Sequence, residues 1–120
     1  MNNKLVLLAM IVTNSVYADV APEQRHEVDY LINFVKNTSC EINRNGQYHD
    51  GEKALAHILK KYDYFRDKIG TTEQFIEYSA TKSTMSGKSY IVKCGNQRPQ
   101  ETRNWLLGEL EKYRQNSNSR

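Results

Sequence analysis

Several features that often identify a protein's class are scarce in this sequence. Its 120 residues include only two cysteines and two prolines. The longest apolar run, from Leu5 to Val12, has eight residues, whereas a helix that crosses a bilayer needs about 20. The cysteines, at positions 40 and 94, lie too far apart for a Cys-x-x-Cys redox motif. The sequence therefore predicts neither a membrane-spanning helix nor a dithiol redox centre.

The charge balance also gives little support for a nucleic-acid partner. Seventeen Lys and Arg residues against 14 Asp and Glu residues give a formal net charge of +3. A nucleic-acid-binding protein concentrates its basic residues on one face or stripe, and mild, dispersed basicity is not such a signal. We therefore expect no nucleic-acid partner.

The N-terminal segment has the three parts of a bacterial signal peptide. Lys4 gives a positive start, the short apolar run follows, and Val16 and Ala18 stand at the −3 and −1 positions of a cleavage site. This pattern predicts that residues 1–18 are removed after Ala18, which leaves no stable membrane anchor. The mature protein is then periplasmic or secreted, with a single domain over 19–114 and a disordered tail over 115–120.

Cys40 and Cys94 are expected to form one disulfide in an exported chain of this size. The loop that this bridge closes is long, so chain entropy alone makes it worth about 4 kcal/mol. An intermolecular bridge and a redox pair are the alternatives.

A short hairpin and a second strand-like run form the β part of the predicted fold. Asn45-Gly46 favours a type I′ turn, which needs positive φ at both positions. Ile42 and Tyr48 are expected to share one face of the hairpin, and Tyr90 to Cys94 reads as another strand.

Four helical patterns surround these strands. The predicted order is α-β-β-α-α-β-α, an α+β fold with four helices packed on a small antiparallel sheet. The helix signals are Pro22 at the first start, Asp50 as the second N-cap, Gly70 as the second stop, Thr71 with Gln74 as a capping box, and Thr102 as the last cap.

Motifs of catalysis are incomplete in this chain. Gly87-Lys88-Ser89 matches the end of a P-loop, but Lys82 stands where the first glycine belongs, and a strand follows the motif rather than preceding it. Ser79-Ala-Thr-Lys82 has the spacing of an acyl-enzyme motif without its partner motifs. The three histidines form no i, i+4 pair that would bind a metal. No catalytic residue, cofactor or metal site is predicted.

A small basic and aromatic patch is the candidate binding site. Arg44 beside the hairpin turn and Lys88 before the later strand converge if the sheet pairs as proposed, and His57 and Lys61 share one ridge of the second helix. The alternatives are a solvated helix ridge and sheet-edge charges that discourage aggregation. The candidate residues are Arg44, His49, His57, Lys61, Lys88 and Tyr90.

One set of residues, spread over nearly the whole mature chain, matches the pattern of a known family. The matching residues are Arg44-Asn45-Gly46, Ala54, His57, Lys61, Arg66, Ile69, Thr71, Glu73-Gln74-Phe75-Ile76, Ala80, Ser83, Ser86-Gly87-Lys88 and Tyr90-Ile91-Val92-Lys93. Through them the chain resembles the YfeK-like family of small exported bacterial proteins, which are assigned to a domain of unknown function. The resemblance implies export and one compact domain, and it supplies no activity.

Three functional hypotheses follow. The first is a non-catalytic module that binds an envelope protein or an anionic ligand. The second is a small envelope hydrolase with Glu73 or His57 as the acid/base. The third is an inhibitor or immunity protein of an exported enzyme. The sequence does not fix the oligomeric state.

Overall fold

The computed structural model describes residues 19–118. The predicted signal peptide and the last two residues of the predicted tail lie outside the described residues. The chain forms four helices and a four-stranded antiparallel sheet, and the predicted elements occur in the predicted order. The α+β fold is therefore confirmed. The helices are α1 Arg25–Asn37, α2 Gly51–Tyr64, α3 Thr72–Ala80 and α4 Thr102–Asn118, and the strands are β1 Glu41–Arg44, β2 Gln47–His49, β3 Ile91–Lys93 and β4 Gln100–Glu101.

The sheet has the strand order β2-β1-β3-β4. The predicted turn joins β1 to β2, with φ of 53° at Asn45 and 89° at Gly46. Its two-residue loop fixes the register, because Arg44 pairs with Gln47 and the following pairs are counted outward from there.

This register corrects one prediction. Ile42 pairs with His49, and Asn43 pairs with Tyr48. Paired residues of an antiparallel sheet point to the same face, so Ile42 shares its face with His49. The prediction that Ile42 and Tyr48 share a face is wrong, because the pairing brings His49 rather than Tyr48 opposite Ile42.

One hydrophobic core lies between the helices and the inner face of the sheet. Helix α1 packs against the other three helices, and α2 and α4 contact the sheet. The largest side chains with almost no solvent exposure are Phe75, Leu31, Ile69, Ile76, Leu106, Leu110, Val28 and Val92.

The disulfide predicted between Cys40 and Cys94 is present. Cys40 directly precedes β1 and Cys94 directly follows β3, and the register Glu41 to Lys93 brings these two strand ends together. The bridge therefore fastens one end of the central strand pair, at the end of the sheet away from the Asn45-Gly46 turn.

Two predicted caps are confirmed. The Asp50 carboxylate accepts a hydrogen bond from the Lys53 amide at 2.9 Å at the start of α2. Thr71 and Gln74 form a reciprocal capping box at the start of α3. Since each cap satisfies backbone N–H groups that a helix end leaves without partners, these short helices begin at defined residues.

The structure differs from the sequence prediction at two helix ends. Pro22 begins a 3₁₀ turn over Pro22–Gln24 rather than α1 itself. Helix α2 ends at Tyr64, and a second 3₁₀ turn over Arg66–Lys68 carries the chain onward, so the prediction that Gly70 stops this helix is wrong. This tighter turn leads to Ile69, which is fully buried in the core.

The C-terminal part of the chain holds two further differences. Strand β4, which the sequence analysis did not predict, pairs with β3 through Val92 and Gln100. Helix α4 runs to Asn118, into the segment 115–120 for which disorder was expected, because continuing an existing helix adds a hydrogen bond for each residue ordered.

Candidate functional site

A cleft of about 430 Å³ opens between the β1–β2 hairpin, α2 and the loop that follows α3. We call this the basic cleft. Among residues 19–118, no Asp or Glu side chain lines its walls. The lining residues are Arg44, Asn45, Gln47, His49, His57, Lys61, Ser83, Thr84, Met85 and Tyr90.

The period-two geometry of the sheet explains one wall of the basic cleft. Arg44 lies two residues from the buried Ile42, so both side chains stand on the same face of β1. His49 joins this face through its pairing with Ile42, and Tyr90 joins it because it lies two residues before Val92, the β3 partner of Ile42.

Helix α2 supplies the facing wall. His57 and Lys61 are four residues apart and lie on the same side of α2. Both side chains reach Tyr90: His57 Nε2 lies 3.2 Å from its hydroxyl oxygen, and Lys61 Nζ lies 3.3 Å from the same oxygen. The Tyr90 hydroxyl therefore links the sheet to α2 at the base of the cleft.

The Lys61 side chain is unusually buried for a lysine. It is 9% exposed, and its ammonium donates to the Lys82 carbonyl at 2.5 Å and to the Tyr90 hydroxyl. Nζ also lies 5.1 Å from the centre of the Tyr90 ring. Burial lowers the pKa of Lys61, and the positive charges of Arg44 and Lys82 lower it further.

His57 is held neutral by its surroundings. Burial and then the positive charges of Arg44 and Lys61 lower the pKa of His57 to about 4. Because an ammonium can only donate, the Tyr90 hydroxyl accepts from Lys61 and keeps its own proton for His57 Nε2. Burial raises the pKa of Tyr90, so this hydroxyl stays protonated.

Arg44 has no hydrogen bond or ion pair through its guanidinium within the part of the chain that the structure describes. It is half-buried at the mouth of the cleft, and its charge bears on His57, Lys61 and Tyr90. A guanidinium presents a planar fork of N–H donors that fits a carboxylate or a phosphate. Arg44 is thus an available anion ligand beside a second buried cation.

The loop after α3 forms the outer wall and is tied to the hairpin turn. The Asn45 amide donates to Ser83 Oγ at 3.3 Å and accepts from Ser86 Oγ at 2.8 Å. Met85, at the tip, is 98% exposed. Polar side chains therefore hold the outer wall against the hairpin, and Met85 is an exposed apolar side chain at its edge.

A small inner lobe lies behind the basic cleft and shares Arg44, His49, His57 and Tyr90 with it. Its volume of about 10 Å³ is close to the minimum for one water molecule. Thr102 lines this lobe, and its buried hydroxyl has no hydrogen-bond partner among residues 19–118.

Five of the six residues in the predicted patch line the basic cleft: Arg44, His49, His57, Lys61 and Tyr90. Lys88 does not; it is exposed, and its backbone supports the loop by donating to Ser86 Oγ and accepting from the Ser83 amide. The sequence analysis missed the loop residues Ser83, Thr84 and Met85. Their place opposite the hairpin depends on long-range contacts for which the local pattern holds no signal.

Glu73, the other acid/base candidate of the sequence analysis, does not line the basic cleft. Its carboxylate accepts from Arg114 at 2.8 Å, and the same guanidinium binds Glu27 at 2.6 Å. Arg114 thereby joins the start of α3 to α1 and α4. Glu73 and His57 thus lie in different surroundings and do not form one acid–base pair.

Within 19–118, no group of three or more His, Cys, Asp or Glu side chains has an arrangement that could hold a metal ion. No helix in this range combines the length and apolar character needed to cross a membrane.

Comparison with known proteins gives a family without an assigned activity. Residues 22–114 match a family of unknown function, DUF5329. The chain is 29% identical over 85 residues to the uncharacterized protein YfeK of Salmonella typhimurium strain LT2, which covers 70% of this chain and 71% of that protein. No solved structure matches.

Proposed function

The chain belongs to the DUF5329 family of unknown function, and from its own residues we propose that it is an exported, non-catalytic module that binds a small anionic ligand. The ligand lies in the basic cleft, with a carboxylate or phosphate group against Arg44 and Lys61. The observation that carries this proposal is the Arg44 guanidinium, which has no anionic partner within the described residues.

The electrostatics of the basic cleft favour negative charge. Arg44 and Lys61 place two positive charges in one cleft, and no carboxylate of the described part of the chain lines its walls to neutralise them. Burial is the main cause of the lowered pKa values of His57 and Lys61, and the positive charge of Arg44 lowers both further. A bound anion relieves the repulsion, and this gain adds to its hydrogen bonds.

The donors are suited to an oxyanion. Arg44 offers a forked pair of N–H groups, and Lys61 uses two of its three ammonium protons on Lys82 and Tyr90. The third proton is left for a ligand. Hydrogen bonds to charged groups contribute about 1.5–3 kcal/mol each, so these two cations together are enough for a measurable affinity.

Binding of sulfate and of glycolate to the mature protein, followed by calorimetry or NMR titration at neutral pH, tests this proposal. We expect Arg44→Gln to weaken binding by about tenfold or more, the equivalent of one charge-assisted hydrogen bond. Arg98→Gln is the matched control, because Arg98 is an exposed arginine beyond β3, at the opposite end of the sheet from the hairpin turn. Equal affinities for all three proteins would refute the cleft as the anion site.

A second variant separates a small ligand from a protein partner. Lys88 is exposed outside the basic cleft, so Lys88→Glu leaves the affinity for sulfate within about twofold while changing the charge of the neighbouring surface. A protein partner that covers the outer loop loses affinity with Lys88→Glu as well as with Arg44→Glu. Loss of sulfate binding in Lys88→Glu would contradict the assignment of the anion to the cleft.

Export is the second part of the proposal. The leader over residues 1–18 is expected to be cleaved after Ala18, and the protein to act in the periplasm or the medium. The Cys40–Cys94 disulfide supports this, because such bridges persist in oxidising compartments. The intact mass of protein from a periplasmic extract is expected to match a chain that begins at Asp19 and lacks two thiol hydrogens. A retained leader, or two free thiols, would refute it.

A further inference from the structure

Lys61 differs from nearby lysines because its ammonium is buried and forms no ion pair with a carboxylate of the described residues. Its ammonium has no carboxylate partner within residues 19–118, and both of its hydrogen-bond acceptors are neutral. Lys53 and Lys60, on the same helix, are exposed to solvent. A buried ammonium without a counter-ion is costly, and two hydrogen bonds to neutral acceptors offset only part of that cost.

The side chain is nevertheless open to a ligand. Lys61 lines the basic cleft and also a second cleft on the other side of the loop, together with Lys82, Ser83 and Thr84. Its amine therefore lies at a place where a small molecule held by Arg44 can reach it.

We propose that Lys61 is a covalent capture site, whose amine condenses with the carbonyl group of a small anionic aldehyde or 2-oxo acid bound in the basic cleft. This inference rests on the proposed function, because Arg44 must hold the carboxylate of the same molecule. It adds the substrate class: an anion that also carries a reactive carbonyl.

The step balances without an oxidant or a reductant. The neutral amine of Lys61 attacks the carbonyl carbon, and the resulting carbinolamine loses its oxygen as water. One C=O bond is replaced by one C=N bond, and the two protons of the amine leave with that oxygen. The reverse reaction with water releases the ligand unchanged.

The surroundings of Lys61 favour this chemistry. Burial, together with Arg44 and Lys82, lowers its pKa and so favours the nucleophilic neutral amine. The hydrogen-bonded chain from Nζ through the Tyr90 hydroxyl to His57 Nε2 gives a proton a path away from the amine. His57 is neutral at physiological pH and, with a pKa of about 4, does not keep that proton but can pass it on to solvent.

Reductive trapping tests the inference on the wild-type mature protein. Glyoxylate with cyanoborohydride is expected to leave a single carboxymethyl group, located on Lys61 by peptide mapping. At limiting glyoxylate, labelling of Lys61 should exceed that of Lys60 by about tenfold, the factor that one charge-assisted contact from Arg44 supplies. Labelling spread evenly over the surface lysines, or absent from Lys61, would overturn the inference.

Four controls, two ligands and two variants, separate this result from ordinary anion binding. Glycolate, the same anion without the carbonyl, should protect Lys61 without labelling it. Acetaldehyde, which lacks the carboxylate that Arg44 holds, should label Lys61 with less preference over Lys60 than glyoxylate does. Lys61→Arg should lose the adduct, whereas Lys60→Arg should keep it. If glycolate binds and Lys61 stays unlabelled, the covalent step is refuted while the anion site stands; if neither anion binds, both proposals fail.

Discussion

Asp19 is a residue at which distant parts of the chain meet. Its carboxylate accepts hydrogen bonds from Tyr62, from Arg25 at 2.5 Å and from Arg66 at 2.8 Å. Burial by itself raises the pKa of Asp19, but hydrogen bonds from Tyr62, Arg25 and the Val20 amide outweigh it and lower the pKa to about 2. The start of the described chain is thus fastened to the end of α2.

Replacing Asp19 is expected to remove this link. Asp19→Asn should lower the free energy of unfolding at pH 7 by about 2 kcal/mol, the value of the shift from the usual pKa of an aspartate. Urea unfolding measures the change. Asp67→Asn, at an exposed aspartate in the following 3₁₀ turn, is the control and should change stability little.

The direction of the pKa shift of Asp19 determines how its contribution to stability depends on pH. Since the folded pKa of Asp19 is lowered, the unfolded chain binds more protons between about pH 4 and pH 2. The stabilisation is therefore complete above about pH 4 and is lost as the pH falls through 2. A stability difference between wild type and Asp19→Asn that stays constant over this window would contradict the ion-pair account.

Apart from the disulfide, contacts between individual residues were predictable from the sequence only where the partner is near along the chain. The Asp50 and Thr71 caps were predicted because their partners lie three residues away. The hydrogen bonds of Asp19 were not predicted, because its partners Tyr62 and Arg66 lie 43 and 47 residues further along the chain. Lys61 was assigned to the right patch, but its burial depends on the loop that supplies the Lys82 carbonyl.

The hairpin and the outer loop act as one unit at the level of elements. Asn45 occupies the left-handed region in the turn and holds Ser83 and Ser86 with its side chain. A non-glycine residue in that region costs about 1–2 kcal/mol unless local bonds compensate it. Asn45 therefore sets both the turn and the outer wall of the basic cleft.

Two substitutions separate these roles. Asn45→Gly keeps the backbone conformation and loses the side-chain tether, whereas Asn45→Ala loses the tether and adds backbone strain. We expect Asn45→Ala to be less stable than Asn45→Gly by about 1 kcal/mol. In hydrogen exchange, both should lose protection of the Gly87 amide, which bonds to the Ser83 carbonyl. Protection of Gly87 equal to wild type in Asn45→Gly would show that the tether does not order the loop.

The elements themselves were mostly readable from sequence. Hydrophobic period and capping residues predicted all four helices, and Asn45-Gly46 predicted the hairpin. Strand β4 was missed because it is only two residues long and is defined by its pairing with Ile91 and Val92. Helix α2 was predicted too long because its apolar period continues through Phe65 and Ile69, while the backbone changes to a 3₁₀ turn.

For the whole molecule, the disulfide is the main covalent constraint on a small core. It joins Cys40 and Cys94, 54 residues apart, and the chain entropy of that loop corresponds to about 4 kcal/mol. We expect reduction to lower the free energy of unfolding by about this amount, measured by urea unfolding with and without reductant. The double variant Cys40→Ser, Cys94→Ser should match the reduced protein. An unchanged unfolding midpoint, with both thiols shown to be free by mass, would contradict this.

The functional account of the molecule depends on the positive potential of the basic cleft. The sequence placed Arg44, His49, His57, Lys61 and Tyr90 in one patch, and the structure shows that they line one cleft, while Lys88 lies outside it. What no sequence pattern could give is that Arg44 has no anionic partner within the described residues, since that depends on where every other carboxylate lies.

The most direct test is an NMR titration of the His57 imidazole with and without sulfate, at matched ionic strength with chloride. Without sulfate the pKa of His57 should be about 4, and sulfate should raise it because the anion offsets the charges of Arg44 and Lys61. Arg44→Gln should raise the pKa without sulfate and remove most of the sulfate effect. A His57 pKa near 6.5 in the absence of sulfate, or one that sulfate leaves unchanged, would contradict an anion-binding cleft.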